Sequence, residues 1–208
     1  MKKLFTLLLP IIMMITIVGC GQTKELSTSK TYDSFVLSSQ VPIIYDEASF
    51  MVNVDNPEEI VGWGDYVFVA KVESELRTEY TDIYENDNGS ITGKPYTVYS
   101  ITVIDNIKGK LKKNVEIEFF KHGGVNYDGK SISLLDGDKL LECGKYYILV
   151  AAAESDGRLG QGIPNAAIEL DAEDKHDIVS NAEYKKIKKY VKNEVKFERK
   201  RFVASDEE

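Results

Sequence analysis

Residues Asn114–Phe120 (NVEIEFF) alternate apolar and acidic side chains, placing Val115, Ile117 and Phe119 on one side and Glu116 and Glu118 on the other. A period of two is the signature of a β-strand with one buried face. Similar short runs recur along the chain. Asp65–Ser74 (DYVFVAKVES) sets Phe68, Ala70 and Val72 against more polar neighbours, and Tyr96–Asp105 (YTVYSITVID) is rich in aromatic and β-branched residues that suit a pleated surface. Ser131–Leu135, Tyr146–Ala153 and Ala166–Leu170 add further short runs between Gly and Asp turns. Between the first two strands, residues 76–95 carry Asn88-Gly89 and Gly93, which predicts a long hairpin loop. Strands of this length and spacing predict a mainly β chain folded as an antiparallel barrel or sandwich.

Two elements frame the strands. Asn56, Pro57, Glu58 and Glu59 supply a cap, a first-turn proline and two acids, so a short helix runs to about Trp63 and stops at Gly64. Trp63 is expected to plug the core beneath the barrel. Near the other end, Ser180 and Glu183 are spaced as a capping box before NAEYKKIKKYVKNEVKFERKR. An amphipathic helix is expected from about Ser180 to Arg199, docking Tyr184, Ile187, Val191 and Val195. Its lysines, among them Lys185, Lys188, Lys189 and Lys192, form a candidate contact for an anionic surface; the competing reading is a solvated helix balancing an acidic barrel. The runs Phe35–Leu37, Val41–Tyr45 and Phe50–Val54 are short strands or extended chain.

The first twenty residues fix the compartment. Lys2 and Lys3 precede an uncharged run from Leu4 to Val18, followed by Gly19 and Cys20. This run is shorter than the about 20 apolar residues of a membrane span, and it contains Pro10, so it reads as a secretory signal. Ile17-Val18-Gly19-Cys20 resembles the lipobox of bacterial lipoproteins, which implies cleavage before Cys20 and lipid on its thiol and amino group. Two acyl chains anchor stably where one is marginal. Residues 21–31 (GQTKELSTSKT) are polar and aperiodic and read as a tether. The expected organisation is signal peptide 1–19, lipid-anchored tether 20–31, barrel domain 32–172 with its core in 57–170, and a basic helix with an acidic tail in 173–208.

Cutting before Cys20 removes two of the 26 basic residues and none of the 34 acids, leaving a net charge of −10. Such a surface disfavours nucleic acid, whose binding relies on Lys and Arg displacing counterions. With Cys20 acylated, Cys143 has no partner for a disulfide within the chain. A buried small residue is the expected place for Cys143.

The order of a short acidic helix, GDYVFVAKV, YTVYSITVIDNIKGKLKKNVEIEFF, HGG and LECGKYYILV resembles the OB-fold domain of bacterial surface lipoproteins akin to the netrin-like and tissue-inhibitor-of-metalloproteinase group, over residues 57–153. The resemblance implies an OB-like barrel. It does not carry inhibition across. Those inhibitors chelate a protease zinc through an unmodified terminal cysteine and are disulfide-bonded, whereas Cys20 here is expected to be acylated.

Only two histidines are present, His122 and His176, in different regions. His122 precedes Gly123-Gly124 and has Asp128, Asp136 and Asp138 nearby in sequence. His122, Asp128 and Asp136 are thus a candidate metal set, against the plainer reading of a glycine turn with solvated acids. Tyr80, Tyr84, Tyr96, Tyr99 and Tyr127 are a candidate ligand face for stacking, against the plainer reading of pleat packing. With no nucleophile paired to a base, the chain is expected to be a non-catalytic module without a cofactor. Its expected place is the extracytoplasmic face of the cell membrane, where it binds an envelope protein, peptide or glycan. The alternative is a metal-dependent or hydrolytic enzyme centred on His122.

Overall fold

The computed structural model describes residues 26–31 and 41–208. The signal segment, Cys20 and the run Phe35–Leu37 lie outside the described residues. The elements in chain order are β1 (Ser29–Lys30), β2 (Ile43–Asp46), α1 (Pro57–Trp63), β3 (Tyr66–Glu85), β4 (Ile91–Lys108), β5 (Glu116–His122), β6 (Gly124–Val125), β7 (Ile132–Leu135), β8 (Tyr146–Ala153), β9 (Leu159–Gln161), β10 (Ala167–Leu170), α2 (Lys175–Ser180) and α3 (Ala182–Lys192).

Strands β3, β4, β5, β9 and β8 are hydrogen-bonded in that order, and β8 returns to β3, closing an OB-like five-stranded barrel. All its pairings are antiparallel except β5 with β9, which run parallel. The parallel contact follows from the path of the chain. β9 leaves β8 through a tight turn at Gly157, so to lie beside β5 it must share that strand's direction.

The hairpin of β3 and β4 is longer than the sequence suggests. Residues 76–95, expected as loop, continue both strands as a ribbon to a turn at Asn86–Ser90. Five register shifts between Val67 and Tyr84 bend these strands. Bulges of this kind increase twist and curvature. The half of the hairpin near Tyr66 thereby wraps into the barrel, and the half near Glu85 projects from it. β1 pairs with Thr78 and Glu79 on this ribbon, so residues 29 and 30, expected within the tether, belong to the sheet. β2, β7 and β6 form a second, three-stranded sheet.

Alternation assigns the core. Phe68, Ala70 and Val72 of β3, Tyr99, Ile101 and Val103 of β4, Ile117 and Phe119 of β5, and Tyr147 and Leu149 of β8 fill the barrel. Phe68 and Phe119 meet edge to face at 6.3 Å. β3 and β8 are buried on their other face too. There Val67, Val69, Ile148 and Val150 pack with Ile60 and Val61 of α1 and with Tyr184 and Ile187 of α3, which explains their nearly unbroken apolar sequences. Val115 departs from expectation. It is 41% exposed and precedes the strand, because Asn114 takes a left-handed φ of 58° and turns Val115 outward.

Asn56 caps α1, accepting from the Glu58 amide at 3.1 Å, and Pro57 opens the first turn as expected. The C-terminal helix is shorter than expected. Asn181, not Ser180, caps α3, which ends at Lys192; Tyr184 and Ile187 are buried, Val191 is partly buried, and Val195 lies beyond the helix and exposed. From Asn193 the chain becomes an extended strap across the end of α1. The carbonyls of a helix end lack intrahelical donors, and here cations supply them. Lys108 donates to Val61 and Gly64, Arg199 to Trp63, and Arg201 to Gly62 and Gly64. Asp65 pairs with Arg199 and Arg201 at 2.8 and 2.7 Å. The strap finishes with Ala204 in the barrel core and an isolated bridge between Leu111 and Glu207.

Two outcomes test this packing. Phe119→Ala should lower unfolding free energy by about 3–5 kcal/mol, while Val115→Ala should change it by less than about 0.5 kcal/mol, as read from denaturant titrations. Gly62 allows a close approach, since a Cβ there would stand 1.9 Å from the Val195 carbonyl oxygen. Glycine to alanine in an exposed helix ordinarily adds about 1 kcal/mol. Gly62→Ala should instead destabilise and expose residues 193–208 to limited proteolysis.

Candidate functional site

On β5 the inward residues are Ile117, Phe119 and Lys121, so Glu118, Phe120 and His122 face outward. Phe120 is the one phenyl side chain in this outward row. It lies over Gly160 of β9, where a Cβ would come within 2.3 Å of the ring. Tyr96 of β4 meets Phe120 edge to face at 5.9 Å and His122 at 5.1 Å. The Arg158 guanidinium stands 5.2 Å from the Phe120 ring centre. The result is a half-exposed aromatic ridge of Tyr96 and Phe120 on the outside of the barrel.

A hollow flanks the ridge on each side, and both hollows share Tyr96, Phe120 and Glu154 as lining. One, of about 320 Å³, is walled by Glu79, Thr81, Ser155, Asp156 and Arg158. The other, of about 300 Å³, is walled by Trp63, Gly160, Gly162, Arg199, Lys200 and Phe202. The charges on the first side are held by each other. Arg77 binds Glu118 through two bonds of 2.8 and 2.7 Å and also reaches Glu79. Arg158 joins Glu79 at 2.7 Å and Asp156 at 2.8 Å. Hydrogen bonding from Arg77 holds the Glu118 carboxyl below its ordinary range. Fixed donors and acceptors beside an aromatic surface are chemistry that can hold a polar ligand with flat apolar faces.

His122 borders a different cavity. This one, of about 360 Å³, lies between the ribbon and the small sheet and is also lined by Asp46, Tyr84, Lys94 and Ser133. Burial, then the nearby Lys121 charge, pushes the imidazole below its usual 6.5, against the opposing fields of Asp138 and Asp46. Its Nδ1 is buried and has no hydrogen-bond partner. The carboxylates near it are therefore Asp138 and Asp46 rather than Asp128 and Asp136. Asp128 is held at its own turn, accepting from the Lys130 amide, and the Asp136 amide bonds the Asp46 carbonyl. Among the described residues no three His, Cys, Asp or Glu side chains are placed to hold a metal ion, so the expected set of His122, Asp128 and Asp136 is not assembled.

The five tyrosines do not share a face. Tyr99 is wholly inside the barrel, where its hydroxyl accepts from the Leu141 amide and burial raises its pKa. Tyr80 is buried, donating to the Val125 carbonyl, and packs against Tyr127 at 4.9 Å with the Lys30 ammonium 3.4 Å from the Tyr127 ring centre. Tyr84 is exposed on the ribbon. Only Tyr96 stands on the ridge. Alternation hides Tyr99 inside the barrel and turns Tyr80, between the hollow-lining Glu79 and Thr81, to the opposite face of the ribbon, while Tyr84 lies farther out toward the turn. Phe120 was legible in the sequence, because it breaks the acidic outward row of Glu116 and Glu118. Arg158 and Gly160 gave no such signal, since only barrel closure brings them to Phe120.

Other expectations are also relocated. Trp63 is half-buried at the groove wall, not beneath the barrel, with Phe197 at 5.9 Å and the Arg199 guanidinium at 4.9 Å. Cys143 is exposed in the turn before β8. Lys185, Lys188, Lys189 and Lys192 face solvent; Lys185 donates to the Ser180 carbonyl, and Lys188 stands 5.2 Å from the Tyr184 ring centre. Among the described residues no helix is long and apolar enough to cross a membrane. No protein-family model matches the chain, and no curated protein matches it.

His122 gives a pH test. Its folded pKa lies below the 6.5 of the free imidazole, so in the interval between the two values the unfolded chain holds more protons. Its contribution to stability is thus complete above 6.5 and is lost as pH falls toward the folded value, with a slope of at most about 1.4 kcal/mol per pH unit. Denaturant unfolding of the native chain and of His122→Asn on either side of 6.5 should show the acid-side loss only in the native chain.

Proposed function

We propose that this protein is a lipoprotein held on the outer face of a bacterial cell membrane through Cys20, and that its barrel is a binding module for an envelope glycan or peptide. The observation that carries the binding role is the Tyr96 and Phe120 ridge between two hollows. Aromatic side chains on the solvent face of a strand cost hydration unless something covers them. Here Gly160 and Arg158 fix Phe120 in place, so little ordering is left to be done on binding. Arg158, Glu154 and Ser155 lie beside the ridge as hydrogen-bonding groups for hydroxyls or peptide amides. The anchor rests on the basic start, the apolar run and the Ile17-Val18-Gly19-Cys20 ending. The likeness to netrin-like surface lipoproteins agrees with this reading but adds no protease inhibition, which needs a free terminal cysteine.

Screening the mature chain against envelope glycans and peptides provides the test. Stacking on an aromatic side chain contributes roughly 1–3 kcal/mol by alanine substitution in nucleic-acid complexes, so Tyr96→Ala or Phe120→Ala should weaken a true ligand by about tenfold or more. Lys188→Gln should leave it unchanged. Binding unaffected by both ridge substitutions would exclude this groove. Separately, Cys20→Ser should release the domain from membranes or leave the precursor uncut; a mature Cys20→Ser chain that stays on the membrane would refute the anchor.

A further inference from the structure

The structure sets how far and in which direction the domain hangs from its anchor. Only five residues lie between Cys20 and Leu26, six steps of chain with a reach of about 20 Å when fully extended. β1 then pairs antiparallel with β3, Ser29 opposite Glu79, and the Tyr80 amide donates to the Thr28 carbonyl. Followed backwards from Lys30 to Thr28, the chain therefore runs toward the ribbon turn.

That end carries the apolar surface a bilayer would take up. Tyr84 on the ribbon is 57% exposed. Across the cavity that Tyr84 and Asp46 both line, β2 forms an edge of the small sheet with β7 on one side, and Ile43, Ile44 and Tyr45 are each about half exposed. Three consecutive large apolar residues exposed on one strand put side chains on both of its faces into solvent. Such clusters mark interaction surfaces, and tyrosine favours the lipid headgroup level. The basic helix α3 lies elsewhere. Tyr184 of α3 bonds Asp105, eight residues along β4 from Thr97, which faces the β1 partner Thr78. That is about 26 Å of strand in the direction away from the turn.

We infer that the ribbon end, with Tyr84 and the edge strand Ile43–Tyr45, is the face of the domain that rests in the lipid interface. The inference rests on the acylation of Cys20. The contact is apolar rather than electrostatic: Asp46 and Glu47 follow the edge strand and Glu85 and Asp87 follow Tyr84 along the chain, against Lys130 in the turn before β7, and Lys94 is paired with Asp82 at 2.7 Å. Anionic lipid therefore adds nothing to it, and salt does not weaken it.

Spin-label depth measurement on the acylated mature chain, beginning at Cys20, in phosphatidylcholine vesicles, with and without phosphatidylglycerol, tests this orientation. Labels are placed by Ile44→Cys, Tyr84→Cys or Lys188→Cys, each combined with Cys143→Ser to remove the exposed native thiol. The ratio of oxygen to aqueous-nickel accessibility should be several-fold higher at 44 and 84 than at 188, in both lipids and at low and high salt. Equal accessibility at all three positions, or shielding of 188 alone in anionic vesicles, would overturn the orientation, the second result assigning the contact to the basic helix. Mass spectrometry showing an unmodified Cys20 would overturn the anchor and this orientation with it, while leaving the groove's ligand binding to its own test.

Discussion

Closure of the barrel depends on three residues. β9, Leu159–Gln161, is the whole of the connection between β5 and β8, and it succeeds because its middle residue has no side chain. Any Cβ at Gly160 would meet the Phe120 ring. The sheet and the candidate site are therefore set by one contact. Without β9 in place, β5 would be an open edge, the Phe120 ring would lose its floor, and Arg158 in the preceding turn would have nothing to lie against. The part of the candidate site carried by β4, β5 and β9 has the rigidity of the barrel itself, and the turn holding Ser155, Asp156 and Arg158 supplies the rest.

Below that closure, a second set of interactions joins the helices to the barrel. α1 ends with carbonyls that point at the strap, and Lys108, Arg199 and Arg201 converge on them with Asp65 among them. Donors bearing charge bind helix-end carbonyls more strongly than neutral ones, and a cation is favoured by the helix dipole at this terminus. The same cations shape the groove, since Arg199 stacks on Trp63 and lines the hollow beside Phe120. Stability and site geometry are thus coupled through residues that sequence periodicity treats as a charged tail.

What could be read from the sequence follows from the range of the forces involved. The α1 cap, the β8 boundaries and the inward set Phe68, Ala70, Val72, Ile117 and Phe119 depend on neighbours a few residues away, and they stand where periodicity places them. Val115 and Val195 failed for a local reason each: a left-handed Asn114 rotates the first out of register, and the early end of α3 at Lys192 drops the second from the apolar stripe. Residues 76–95 read as loop because Asn88-Gly89 and Gly93 signal turns, yet only Asn86–Ser90 turns, and β1 and the Tyr127 side chain cover the inner part of the ribbon. Long-range meetings left no trace in the sequence. Phe120 with Arg158 and Gly160, His122 with Asp46, and α1 with the strap are all consequences of topology.

The strap also bears on when the molecule can become folded. Tyr66 bonds Glu207 across 141 residues, the Val195 amide bonds the Glu58 carbonyl, and Ala204 sits in the barrel core. Contacts this distant in sequence delay folding, because chain entropy is lost before they form. Until residues near 204 have emerged, Tyr66 and α1 lack their covering and the barrel has one end open. A chain synthesised from its first residue onward therefore keeps its core incomplete until residues 195–207 have been made, so the segment that closes the barrel end is also the one that arrives late.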